Sequence, residues 1–275
     1  MPTTDEMSNL ALFCDYENIA LGARDARYAR FDIRRVLERL LLKGSITIKK
    51  AYCDWSRYAE AKAGMHEASF ELIEVPHVRQ SGKNSADIRM VVDALDCCYT
   101  KPRIDTFVVI SGDSDFSPLV SKLRENGKRV IGVGVKNSSS DLLIANCDEF
   151  IYYDDLVREE AQKRQKGRRP AARAEAAAAA EEAPAPKRSE EERRQEAFDL
   201  VVETLEALAE ERDEGDRIWG SMIKDALRRR KPGFNERYYG FRSFAKLLDE
   251  AEARGLIAQT RDEKSGGSVV RPVAG

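Results

Sequence analysis

Apolar positions in the first 155 residues alternate between two periods. Leu10–Cys14 is a short unbroken apolar run. Thr106–Ile110 is a run rich in β-branched residues, the pattern of a strand buried on both faces. Ile46–Cys53, Phe70–Val75, Val130–Val135 and Phe150–Tyr152 read as further strands. Helical spacing fills the gaps. Asp32 caps a helix with Ile33, Val36, Leu37, Leu40 and Leu41 on one face, and Ser56–Ala68 follows the next strand. Ala86–Cys98 carries Ile88, Val91, Val92 and Leu95 at helical spacing. Phe116–Glu125 is ended by Asn126-Gly127, and a short helix is expected near Ser140–Ala145. This alternation predicts an α/β fold: a doubly wound, mostly parallel sheet covered by helices on both sides.

The pattern breaks near Glu159. From about Glu160 to Arg193 alanine is the only apolar side chain, amid charge and proline, and such a stretch buries too little surface to offset the entropy of ordering. A linker over 158–193 is therefore expected, between one domain at 1–157 and a second at 194–275. Alanine and glutamate favour a transient helix within it. Its basic cluster, Arg164, Lys166, Arg168 and Arg169, suits either solvation or loose phosphate contact. In the second domain Phe198, Val201, Val202, Leu205 and Leu208 mark a helix, and Ile218–Arg229 and Phe241–Arg254 mark two more. Leu256-Ile257-Ala258 and Ser268–Arg271 flank a polar turn with Gly266-Gly267, the mark of a hairpin. Three helices and a terminal hairpin are the parts of a small winged helix-turn-helix.

Composition narrows the function. The chain has 275 residues, 42% hydrophobic and 34% charged, with a formal net charge of −2, so any nucleic-acid contact must use local basic patches. The five cysteines, Cys14, Cys53, Cys97, Cys98 and Cys147, lie mostly in apolar runs without C-x-x-C pairing, and read as reduced, buried residues. With only His66 and His77, a histidine-rich metal centre is excluded. No apolar run reaches membrane-spanning length and the first residues lack signal-peptide character, which places the expected protein in the cytoplasm with no membrane partner.

Open parallel sheets bind ligands at the carboxyl ends of their strands. Asp15 follows the first strand, Asp113 and Asp115 follow Thr106–Ile110 in SGDSDF, and Asp87 opens the helix after the third strand. All four should converge on one edge. Singly, Asp15 suits a turn and Asp87 a helix cap; Asp113 with Asp115 suits a turn followed by a cap. Together they form a costly cluster of like charge that a hard cation such as Mg²⁺ or Mn²⁺ would relieve. Small Ser111, Gly112 and Ser114 leave room for a ligand, and Asn18 is placed to orient water or substrate.

The combination FCDYENI, GKNSADIRMVVDAL, FVVISGDSDFSPLVSKLRENGKRVIGVG and SSSDLLIANCDEFIYYDDL resembles the NYN domain, and more narrowly the LabA-like branch of the PIN-like nuclease superfamily, over about Leu10–Leu156. The resemblance implies a doubly wound α/β sandwich whose acidic cluster binds Mg²⁺ or Mn²⁺ and cleaves RNA. By position, Asp15, Asp87, Asp113 and Asp115 would be the catalytic and metal-binding residues, with Asn18 and Ser111 accessory. Lys83, in the loop before Asp87, suits phosphate contact or plain solvation. Asp93 reads as a surface residue or secondary ligand, and Asp141 as part of the site rim or of a serine-capped helix start. Arg57, Tyr58, Arg79 and Lys136 could line the site as a partly aromatic basic rim.

The stretch from Arg217, with PGFNERYYGFRSFAKLLDEA at its heart, resembles the OST-HTH or LOTUS domain, covering roughly Arg194–Pro272. That resemblance implies RNA binding and docking of protein partners. Phe241, Phe244, Leu247 and Leu248 have core spacing. Lys224, Arg228, Arg229, Arg230 and Lys231 suit either RNA contact or the dipole at a helix end. The expected function is a metal-dependent ribonuclease acting on single-stranded RNA, with an appended RNA-binding domain. The alternative is a non-catalytic RNA-binding or protein-interaction adaptor. A phosphoacceptor domain would want paired acids after the first strand, where Asp15 stands alone, and a dinucleotide fold would want a G-x-G-x-x-G.

Overall fold

A computed structural model describes residues 8–75, 85–167, 190–210, 217–261 and 267–273. The chain forms two compact units, residues 1–181 and 182–275.

In the first unit six strands make one sheet: β1 (Ser8–Asp15), β2 (Gly44–Cys53), β3 (Glu71–Glu74), β4 (Thr106–Ile110), β5 (Arg129–Gly134) and β6 (Glu149–Tyr152). Their order is β3-β2-β1-β4-β5-β6, and every pairing is parallel. The chain winds outward from β1 in one direction and from β4 in the other, so the winding reverses between these two strands. A crevice opens at such a switch point, beyond the strands' carboxyl ends.

Period-two alternation on β1 divides the interior into two cores. Leu10, Leu12 and Cys14 face one side, packed by α1 (Tyr16–Asp25), α2 (Ile33–Leu41), α3 (Ala59–Glu67) and α7 (Tyr153–Gly167). Ala11 and Phe13 face the other, packed by α4 (Ser85–Thr100), α5 (Ser117–Glu125) and α6 (Asp141–Asn146). The doubly wound α/β sheet expected from the apolar pattern is the sheet observed.

Several local expectations need correction. Helix α1 was not anticipated. It starts because the Asp15 side chain accepts the Asn18 amide as an N-cap, and buries Tyr16, Ile19 and Ala23. Asp32 does cap α2, accepting the Arg34 amide, but Leu41 lies off the buried face and is 61% exposed. Helix α4 is rotated from the face expected: Val91 and Leu95 pack against the core, but Ile88 and Val92 do not. Met90, Ala94, Cys97 and Cys98 are buried, whereas Ile88 and Val92 are exposed. The five cysteines are free and buried, as expected. Helix α7 runs through position 158, where the composition places the start of a linker.

The second unit begins with α8 (Glu190–Glu210). Then follow β7 (Ile218–Trp219), α9 (Gly220–Arg230), α10 (Phe244–Ala253), β8 (Ile257–Arg261) and β9 (Ser268–Pro272). The β8–β9 hairpin is antiparallel, and β7 joins its β9 side, giving the order β7-β9-β8. Ile218 and Trp219 are therefore strand, not the start of a helix, and Phe241 lies in the turn ahead of α10. Phe198, Val201, Leu205, Ile223, Leu227, Leu247 and Val270 form its core. Phe234 stacks on Tyr239 with ring centroids 5.3 Å apart, and the Arg254 guanidinium lies 4.6 Å over the Phe198 ring. The element order α-β-α-α-β-β with a small antiparallel sheet is that of a winged helix. Among the described residues no helix is long and apolar enough to cross a membrane.

Candidate active site

The switch point between β1 and β4 carries the acids. Asp15 is the last residue of β1 and is only 7% exposed. Its Oδ1 accepts the Asn18 amide at 3.2 Å and its Oδ2 accepts the Ser111 hydroxyl at 3.1 Å. Among the described residues no lysine or arginine pairs with it. Burial pushes its carboxyl up, from an ordinary 3.8 to about 7. The Asn18 amide and Ser111 hydroxyl work against that rise, while repulsion from Asp87 and Asp113 adds to it.

The loop after β4 is tied to the same point. Ser111, fully buried, donates to Asp15 and accepts the Asp113 amide at 3.2 Å. Asn18 Oδ1 accepts the Gly112 amide at 2.8 Å, fastening α1 to this loop. Asp113 caps the short 3₁₀ turn Ser114–Phe116 by accepting the Asp115 amide at 3.0 Å. The smallness of Gly112 serves packing rather than ligand room: a Cβ there would stand 2.3 Å from the Ser138 carbonyl oxygen. Asn18 and Ser111 thus hold the site together from beneath.

Asp87 lies in the first turn of α4. Burial, then repulsion from Asp113, Asp115 and Glu17, raises its carboxyl from 3.8 to about 6. Asp15, Asp87, Asp113 and Asp115 therefore share one negative field although they come from three separate segments. Glu17 was missed as a fifth member because it stands on α1. A helix assignment there would have exposed it, since residue 17 follows the capped strand end directly. Glu17 pairs with Arg57 at 2.9 Å, and Tyr58 packs edge-on to Tyr16.

The donor set is chemically suited to a hard divalent cation: carboxylates, one of them buried without a counter-charge, and no histidine or thiol among them. It is not a closed cage. Among the described residues no three acidic, histidine or cysteine side chains stand together as a ready ligand set for one ion. An ion that keeps several waters and takes one or two carboxylates fits this arrangement.

Neighbouring candidates sort by their contacts. Asp93 accepts the Tyr52 hydroxyl at 2.9 Å and pairs with Arg89 and Lys50, which makes it a structural anchor on α4. Ser140 caps α6, and Asp141 is exposed in that helix's first turn. Lys136 donates its amide to Asp154 and lies 5.9 Å over the Tyr152 ring. Lys83 and Arg79 lie outside the described residues. In the second unit Lys224 pairs with Glu236 at 2.9 Å, and Arg230 pairs with Glu203. Arg229 and Lys231 are exposed at the end of α9, with Arg228 half-buried beside them.

This geometry has relatives. Over 140 residues the chain is 30% identical to an uncharacterised protein of Methanocaldococcus jannaschii, spanning 50% of this chain and 55% of that protein. It is 26% identical over 157 residues to meiosis regulator and mRNA stability factor 1 of Xenopus tropicalis, spanning 56% of this chain and 9% of that protein. The crystal structure of a protein of unknown function from Vibrio parahaemolyticus superposes with a TM-score of 0.50 at 25% identity, over 56% of this chain and 98% of that one. The chain thus matches about half the length of the first relative and a small part of the second. Residues 9–154, from β1 to the start of α7, match the NYN domain, and by that match over half its length the chain belongs to the NYN domain family.

Proposed function

We propose that the first unit is a Mg²⁺- or Mn²⁺-dependent ribonuclease acting on single-stranded RNA. Membership of the NYN family, within the PIN-like nuclease superfamily, already points to a nuclease-like, RNA-related function. One observation carries the finer reading: Asp15 is buried at a topological switch point with carboxylates for neighbours and, among the described residues, no cation. A fold tolerates such an arrangement where a cation completes it.

Asp15, Asp87 and Asp113 would anchor the ion, one or two of them directly and the rest through its waters, with Asp115 a further ligand or a group that orients water. Once bound, a divalent ion supplies positive charge to the phosphoryl oxygens and lowers the pKa of a water. The protein's own part is positioning. Ser111 and the Asn18 amide fix both oxygens of Asp15, and the Asp115 amide fixes one oxygen of Asp113. The partial positive charge at the start of α4 favours the ionised form of Asp87 and partly offsets its repulsion by the other acids.

The second unit, as an OST-HTH or LOTUS winged helix, would hold RNA through Arg228, Arg229 and Lys231, and would offer a surface to protein partners. A linker between α7 and α8 would keep captured RNA at high effective concentration near the first unit. A cytoplasmic location suits this activity.

The test is cleavage of end-labelled single-stranded RNA by the purified chain in Mg²⁺, Mn²⁺ or EDTA. Cutting that needs metal and disappears in Asp113→Asn supports the ribonuclease. Binding without turnover over varied RNAs supports the second reading, an RNA-binding adaptor, which the lack of a ready three-acid ligand set among the described residues favours.

A further inference from the structure

A cavity of about 580 Å³ adjoins the acids, between α4, the start of α5 and α6. Ile88, Val91, Val92, Pro118 and Leu142 give it aliphatic walls. Ile88 is 63% exposed, Val92 56% and Leu142 58%, so a contiguous apolar surface faces water here. Such a surface beside a polar site marks a place where something binds. Asp87 and Asp115 belong to the same lining, so the cavity and the acid cluster share a wall.

Two features identify the occupant. First, charge. Among the described residues no lysine or arginine lines the cavity, and two carboxylates do, so these walls repel an anionic group such as a phosphate. A neutral, flat, largely apolar group is not. Second, a hydroxyl. Ser117, the first residue of α5, lines the cavity, and its buried Oγ has no hydrogen-bond partner among the described residues. Buried polar groups in folded proteins are nearly always paired, and an orphan asks for a partner the protein itself does not provide.

We infer that this cavity receives one nucleobase of the RNA strand whose phosphodiester lies at the acids. The inference rests on the ribonuclease reading and extends it to substrate placement. The aliphatic walls cover the faces of the base, and Ser117 meets one atom of its edge. The volume lies within the range of small-molecule sites and admits a purine or a pyrimidine. One hydroxyl among aliphatic walls discriminates weakly between bases, so the subsite sets the register of the strand more than its sequence.

The test uses the full chain with Mn²⁺ and a fluorescein-labelled single-stranded hexaribonucleotide. Val92→Asp and Leu142→Asp, both at exposed positions, should each raise KM about tenfold and leave kcat within about twofold. Ile88→Ser provides a milder variant, and an unchanged melting temperature shows that each variant is folded. A hexamer abasic at the nucleotide next to the cut should lose this sensitivity, which a merely structural role would not produce. Unchanged KM in Val92→Asp and Leu142→Asp, with wild-type cleavage intact, overturns the base subsite and leaves the ribonuclease standing. Variants that cut normally but lose self-association in sedimentation overturn it too, because a second copy of the chain is then the occupant. Binding without cutting defeats the ribonuclease reading alone, and the same ratios of Kd, read by anisotropy, then decide on the subsite. Neither binding nor cutting overturns both.

Discussion

Two buried acids at opposite edges of the sheet have very different surroundings. Glu149 opens β6 at the amino edge and Asp15 closes β1 at the carboxyl edge, each 7% exposed. Glu149 is answered by Lys43 at 2.7 Å and Arg129 at 3.0 Å, residues that precede β2 and open β5. Asp15 meets a hydroxyl, an amide and other acids. The first carboxylate is neutralised by the fold itself. The second is left with its charge unmatched among the described residues, and that difference separates an architectural acid from a candidate reactive one.

Substitution should split the two cleanly. Asp15→Asn and Asp113→Asn are expected to lower RNA cleavage by about a thousandfold or more, measured as single-turnover rates on labelled RNA. Glu149→Gln should leave the rate per folded molecule within about twofold. An equal loss in Glu149→Gln would erase the contrast.

Next in size is a dependence on pH. The Asp15 carboxyl, at about 7 in the folded chain against 3.8 when free, holds its proton longer folded than unfolded. The folded state therefore binds more protons between those values, and stability without metal falls as pH rises from about 4 to 7, by roughly 3–4 kcal/mol. Asp87 adds to the slope in the same direction. Chemical denaturation in EDTA across this range measures it, and Asp15→Asn should flatten most of the slope while stabilising the protein at pH 8. A slope equal in both proteins would show that Asp15 is not the source.

Glu149→Gln should cost about 2–3 kcal/mol in urea unfolding, since it strands Lys43 and Arg129 around a neutral amide. Gly112→Ala should cost about 1–2 kcal/mol and slow cleavage, because its Cβ would force the Ser138 carbonyl away from the loop that carries Asp113. Asp93→Asn should be the smallest effect, under about 1 kcal/mol with cleavage unchanged, since Asp93 serves Tyr52, Arg89 and Lys50.

The parallel sheet could be read in advance because its central strands are unbroken apolar runs. Thr106–Ile110 has the predicted ends, and all five of its residues are buried. Helix α1 could not. It carries few large apolar residues and a glycine in its interior, and its stability comes from the Asp15 cap and tertiary packing. At Gly22 a Cβ would stand 2.3 Å from Ser138 Oγ and that side chain would have to turn away, a close approach invisible in local periodicity. Helix α4 misled for the opposite reason. Its β-branched Ile88 and Val92 face the cavity, while Met90 and the small Ala94, Cys97 and Cys98 are buried in the core, so the apolar spacing pointed partly to the wrong side. Of the candidate site, Asp15, Asp113 and Asp115 could be proposed from strand ends and Asp87 from a helix start. Glu17 needed the hidden helix, and the ion pairs of Lys224 and Arg230 needed side-chain geometry.

The Ser111 hydroxyl has a single hydrogen, and that hydrogen is committed to Asp15 while the oxygen takes the Asp113 amide. The bond is therefore directional. It rewards the ionised form of Asp15, because a protonated carboxyl turning toward Ser111 would leave two hydrogens competing for one gap. A change of charge at the end of the first strand is thus felt, through one oxygen atom, by the backbone that presents the third acid. Two segments encoded nearly a hundred residues apart answer to the same proton.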